Sequence, residues 1–293
     1  MKYLITPLIL ASISLTANAE NIDRTLDASP TGEVRIDIIE GRVVIEGWDK
    51  NQVRVTGDVP DLEEFVFLTS GEDTLIEVEH KGGFWGNWKS QGNAKLTIYV
   101  PRESSIASEG ISTSFVITGV EGAVDSSTMS GDISLDGGNG KVQVESVSGD
   151  VDITGAKGKI SLSSVSGDVS AKVDSHHFEA QSVSGRIDAS IGMSEHVELA
   201  SVSGDIDLIF ELAKSGELEA ETVSGDIDVK FLNEELDASF DIETGPGGDV
   251  RNLISDDKSS SSFSFSGSLE FEMGKGNGSV DLETMSGTVK VDQ

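Results

Sequence analysis

A chain of 293 residues without cysteine has no disulfide, no thiolate metal site and no cysteine nucleophile, so its stability must come from burial and backbone pairing. Its 52 acidic residues against 21 basic ones give a formal net charge of −31, which argues against nucleic acid and anionic lipid headgroups and for cations and basic partners. Low aromatic content beside 33 glycines would suit a disordered chain, but here the apolar residues recur in strict order, which disorder does not require.

The chain opens MKYLITPLILASISLTANAE: one basic residue, Lys2, an apolar run from Tyr3 to Leu15, then small residues ending Ala17-Asn18-Ala19. That is the pattern of a secretory signal peptide over 1–19, with a mature chain expected from Glu20 at a charge of 20 − 52 = −32. The apolar run is too short to span a membrane, which takes roughly 20 residues, so no transmembrane segment is expected. The leader implies an exported protein, periplasmic, at the cell surface or extracellular.

From Glu20 to Pro101 the runs EVRIDII, RVVIEGW, QVRVTGDV, TLIEVEH and AKLTIYVP alternate apolar and polar residues, as half-buried strands do. This stretch is expected to be an N-terminal β-region that caps the rest of the chain, with a single helical turn over 61–65. A turn-rich loop, KGGFWGNWKSQGN at 81–93, carries Trp85 and Trp88. Exposed aromatics on a loop can contact a glycan or a protein, although packing over one end of the core is the plainer role.

Residues 102–293 hold the main signal. TMSGDISL at 128, SVSGDVDI at 146, SVSGDVSA at 164, SVSGRIDA at 182, SVSGDIDL at 201 and TVSGDIDV at 222 are copies of one unit, and TMSGTVKV, with Gly287, is a last copy. Their glycines, Gly131, Gly149, Gly167, Gly185, Gly204 and Gly225, are spaced by 18, 18, 18, 19 and 21. Within a unit Val142 and Val144 alternate with polar neighbours, as does Val151 before Ile153, so strands with one buried face are expected. Val147 breaks the parity of Val142 and Val144, which predicts a bend near Ser146 and a buried valine row through Val165, Val183, Val202 and Val223. Gly149 would supply the positive φ of one corner, and Gly155-Ala156-Lys157-Gly158 would form another. Such units can be coils of a β-solenoid or hairpins of a meander. Near-identical residues at every copy favour the all-β solenoid of 18–22-residue coils, where each residue lies about 4.8 Å over its counterpart.

Chemistry is sparse in this pattern. His80, His176, His177 and His196 are the only histidines, and adjacent strand residues such as His176 and His177 face opposite ways, so they do not naturally share a ligand. Asp150 and Asp152, Asp205 and Asp207, and Asp226 and Asp228 are spaced by two, so each pair points outward from one face. Stacked coils would carry acidic columns, one running from Asp132 through Asp150 and Asp168, broken by Arg186, and resuming at Asp205 and Asp226. Calcium is the cation such columns could recruit, yet the calcium-loop signatures are missing and a hydrated acidic face that discourages edge-to-edge association is the simpler expectation. No cofactor is implied. A longer surface loop is expected over 256–268, before the last copy.

In the GRVVIEGWD segment at 41–49, LTIYVP at 96–101, the S/T-V-S-G-D-I/V units and the terminal GNGSVDLETMSGTVKV, the chain resembles the bacterial DUF4097 family, also called toastrack domains, over about 30–293. The resemblance implies a cell-envelope β-solenoid-like domain, with an adhesin role inferred from repetitiveness and no catalytic residues to carry over. The expectation is a non-enzymatic scaffold for an envelope protein or a glycan. Two alternatives stand beside it: a polysaccharide-processing enzyme built on a β-helix, whose acid and base would be carboxylates, and a structural or stress-associated partner of another envelope component.

Overall fold

In the computed structural model the described residues are 20–60, 63–80, 93–258, 260–261 and 267–293. The leader expected over 1–19, and Trp85 and Trp88, lie outside them, as do 259 and 262–266 of the expected C-terminal loop. The fold is an all-β solenoid, each coil made of two strand legs.

One coil shows the construction. Asn139–Ser148 is the first leg, the chain turns at Gly149, and Val151–Ser164 begins as the second leg before bending through 155–158, with an irregular register, into the first leg of the next coil. Pairing with both neighbours is parallel and in register: Val142 lies opposite Val124 and Ile160, and Val151 opposite Ile133 and Val169. Val142, Val144, Val151, Ile153 and Ala156 are buried in one continuous core. The 155–158 corner uses the left-handed backbone expected of it, with φ of 68° at Gly155 and 99° at Gly158.

Two expectations about the other corner are corrected. The valines do stack, but not in the core: Val147, Val165, Val183, Val202 and Val223 are all exposed. Alternation simply continues, so Val142, Val144 and then Ser146 point inward and Val147 points out. The small hydroxyl residue takes the interior site because the chain is about to turn there, and its polar atom reaches the backbone of the preceding coil: Ser146 and Ser164 donate to the carbonyls of Gly131 and Gly149, each at 3.3 Å. The glycines of this corner are needed for a different reason from positive φ, which among Gly131, Gly149, Gly167, Gly185, Gly204, Gly225 and Gly287 only Gly131 has. A Cβ on Gly149, Gly167 or Gly185 would sit 2.0–2.1 Å from the carbonyl oxygen of the glycine one coil earlier. Close approach of successive backbones excludes any side chain there.

The stack closes by the same device at both ends. At the start, Glu33–Trp48 lies in parallel on Ser105–Val120, so the ladder runs from the N-terminal region straight into the repeats. Outside it lie Asp73–His80 and Ala94–Pro101, still parallel, and these are covered by antiparallel strands, Glu63–Ser70 on one leg and Gln52–Val59, with Glu20–Asp27 behind it, on the other. The single helical turn expected over 61–65 is not formed in its described part, because Glu63 onward is strand.

At the far end the last copy, Gly278–Thr284 and Thr288–Asp292, is threaded between the coil of 217–231 and the strands Ala238–Thr244 and Asp249–Asn252. Gly267–Met273 then pairs antiparallel with Ala238–Thr244 and stops parallel growth. Phenylalanines fill this end: Phe210, Phe231, Phe240 and Phe271 contact one another in turn, with Phe240 and Phe271 stacked at 4.4 Å and 7°.

Candidate docking surface

Register turns every repeated side chain into a column along the solenoid axis, and at the valine corner several columns run side by side. The outermost is apolar. Val147 follows Ser146 as Met129 follows its partner Thr128, and the amides of Val165 and Ser166 bond the carbonyls of Ser146 and Val147 at 3.2 and 3.0 Å. The same links carry the column to Val183, Val202 and Val223, and to Met285, whose amide bonds the Thr222 carbonyl at 3.2 Å. At the other end Ile111 follows Gly110, the partner of Thr128. Ile111, Met129, the five valines and Met285 are each between 41% and 58% exposed, so a stripe of large apolar side chains runs along most of the stack.

Next to the stripe on the C-terminal side of the corner is the acidic column foreseen from the sequence. The structure places Asp132, Asp150 and Asp168 in sequence, then Arg186, then Asp205 and Asp226. Each carboxylate caps the following coil: Asp132 accepts from the Asp150 amide at 3.1 Å, Asp150 from Asp168 at 2.9 Å, Asp168 from Arg186 at 2.8 Å, Asp205 from Asp226 at 3.0 Å and Asp226 from Thr288 at 2.7 Å. These aspartates therefore have a structural task, holding amides that the turn leaves without a ladder partner.

A second column holds Asp152, Ser170, Asp188, Asp207 and Asp228. Its close acids are met by two cations. Arg186 reaches across to both Asp205 and Asp207 at 3.1 Å, and Lys290 lies 2.8 Å from Asp228. Burial first, and the carboxylates of Asp188, Asp228 and Asp205 after it, push Asp207 above the usual aspartate range, while Arg186 opposes the rise.

On the N-terminal side of the stripe the outward positions are Glu145, Ser163, Gln181, Ala200, Glu221 and Glu283. Beyond them acids face acids at the C-terminal end, Glu219 opposite Asp281 and Asp281 opposite Asp241, and Glu283 opposite Glu221 and Glu243. Partial burial and this crowding raise the pKa of both Glu221 and Asp281. In the same face His177 and His196 of successive coils stack at 4.6 Å, and His177 Nε2 meets Glu179 Oε1 at 2.5 Å, whereas His176 points to solvent.

Among the described residues no three of His, Cys, Asp and Glu gather as metal ligands, and no helix is long and apolar enough to cross a membrane. One shallow hollow of about 250 Å³ lies beside Trp48, Lys50 and Arg102, but the Trp48 ring is already stacked on Tyr99 at 5.3 Å and overlaid by Lys50 at 4.5 Å. The apolar stripe is the feature that sequence reading misplaced, and counting parity through Ser146 rather than assuming a bend would have set it on the outside.

Residues 116–217, the run of most regular coils, match the family model of Toastrack DUF4097. No curated protein matches the chain. Several solved structures are similar to it at low identity. A "putative adhesin" from Bacteroides fragilis is 16% identical, covering 93% of this chain and 97% of its own, with a TM-score of 0.43. A "putative lipid binding protein" from Parabacteroides distasonis is 15% identical, covering 94% and 98%, at 0.49. A "putative cell adhesion protein" from Clostridium sporogenes is 11% identical, covering 94% and 100%, at 0.24. At such values those descriptions belong to those proteins alone.

Proposed function

We propose that this chain, whose regular coils match a Toastrack DUF4097 model, is a non-enzymatic binding scaffold of the bacterial cell envelope, exported through the leader at 1–19 and displaying its corner columns to a protein or glycan partner. The observation that carries the reading is the apolar stripe from Ile111 to Met285, half exposed at one outward position coil after coil on a molecule of charge −31. Contiguous exposed apolar surface marks interaction sites, and a repeat array offers it at constant spacing to an extended partner.

The carboxylates support a binding role over catalysis. Glycoside chemistry needs two carboxylates set apart from the rest by position and pKa across one bond, whereas here each carboxylate of the first acidic column is engaged in capping a backbone amide of the next coil. The test is capture from envelope extract, together with a glycan array, by the intact chain and by a Val165→Ser/Val183→Ser variant. A partner retained by the first and lost by the second is expected. Polysaccharide turnover that disappears on replacing one or two carboxylates would overturn the reading.

A further inference from the structure

The stripe and its flanks carry more than the statement that something binds, because their spacing and charge restrict the shape and chemistry of the partner. From this surface we infer that the corner docks a basic amphipathic α-helix of another polypeptide, its apolar seam on the Ile111–Met285 stripe and its lysines or arginines toward the carboxylates on either side. The inference rests on the scaffold reading and deepens it.

Spacing comes first. Stripe residues recur about 4.8 Å apart along the axis, one per coil. The apolar seam of a helix recurs every 3.5 residues, about 5.2 Å at 1.5 Å per residue, so it slips against the stripe by only about 0.4 Å per coil and about 3 Å over all seven steps. An extended strand presents one face every second residue, about 6.8 Å, and falls out of step within two coils. The seven steps from Ile111 to Met285 span about 34 Å, which a helix of about 22 residues covers.

Charge then selects among occupants. Exposed Asp132, Asp150, Asp168 and Asp226 border the stripe on one side and exposed Glu145, Glu221 and Glu283 on the other. The one basic residue in the column, Arg186, is already held by Asp205 and Asp207. A second copy of this chain, related by a two-fold axis in the contact plane, would set the aspartate column either against itself or against the glutamate-bearing column, and both are acid on acid. An anionic membrane surface meets the same repulsion. A cationic helix is complementary on both flanks, and laying an apolar face on an apolar surface is an established mode of peptide recognition.

The experiment uses the intact chain and a labelled synthetic peptide of about 22 residues made only of leucine and lysine, with leucines at helical seam positions. A control peptide of the same composition alternates the two residues. Fluorescence anisotropy at physiological salt is expected to show binding of the seam peptide, weakened about tenfold or more by Val165→Ser/Val183→Ser, and weaker binding of the alternating peptide. Both valines are half exposed, so the variant is expected to keep the melting midpoint of the parent, which circular dichroism checks.

Equal binding by parent and variant, equal binding of the two peptides, or no binding of the seam peptide overturns the inference. So does self-association in sedimentation velocity that the variant abolishes, which assigns the stripe to a second copy, or valine-dependent flotation with phosphatidylcholine vesicles, which assigns it to lipid. Valine-dependent capture of an envelope partner alongside a failed peptide titration would sink the helix alone and leave the scaffold standing.

Discussion

At the scale of single residues the corner Ser-Val-Ser-Gly-Asp divides its work cleanly, and each share predicts a different response to substitution. The serine points in, the valine points out, the glycine allows backbone to pass backbone, and the aspartate holds the next amide. Gly167→Ala would drive a Cβ to 2.1 Å from the Gly149 oxygen, so the coils must separate locally, and a loss on the order of 3 kcal/mol in urea denaturation is expected. Asp150→Ala removes the acceptor of the Asp168 amide and should lower the midpoint by about 1 kcal/mol or less, since water can reach the site. Asp150→Asn keeps an acceptor oxygen while removing a charge from an acid-rich face, and its midpoint should equal or exceed that of the parent. A cation site would respond in the opposite way to the asparagine. The acidic columns were legible from spacing alone, because outward alternation on a strand needs no tertiary knowledge. Their role was not, since the amide each aspartate caps belongs to another coil, 18 to 62 residues away.

At the scale of elements, parallel coils offer an open edge at each end, which would pair with other chains if left bare. Both ends are finished with antiparallel strands, and the C-terminal copy is held inside the stack rather than at its edge. The repeat motif at Gly287 revealed that the last copy belongs to the array. Sequence did not reveal that it would be inserted ahead of strands that precede it in the chain, because the 238–252 strands lack the signature and pairing order is a tertiary choice. Phe271→Ala withdraws a ring stacked on Phe240 in the closing strand. A fall of about 3 kcal/mol is expected, with amide exchange rising first in 238–244 and 267–273 and later in the central coils. Uniform exchange throughout would show that the end strand is not a separable cap.

At the scale of the whole molecule, charge sets how stability depends on solution conditions. Burial, with neighbouring acids adding to it, raises Asp37, Glu77, Asp207, Glu221 and Asp281 above their ordinary values. A carboxyl raised in the folded state costs stability while ionised, and that cost is relieved as pH falls through the folded pKa toward the unfolded one. Asp23, held down by Arg54, Glu179, held down by His177, and Asp237, held down by the Lys275 amide and Asn277, contribute in the reverse sense and lose their contribution only in stronger acid. The melting midpoint should therefore rise from neutral pH to mildly acidic pH before falling, and should rise with salt at neutral pH, where ions screen the repulsion. A midpoint that drops steadily from neutrality would contradict this balance.

Both the fold and the docking surface require coils that stack one per repeat with their corner residues in a single outward column, and the absence of natural cysteine makes that column directly measurable. Spin labels placed by Met129→Cys and Val223→Cys lie five coils apart, so pulsed electron resonance should give a separation of about 24 Å at about 4.8 Å per coil. Hairpins in a meander would use two strands per repeat and put the same labels about 48 Å apart. A distance near the larger value would contradict the stacked column and everything built on it.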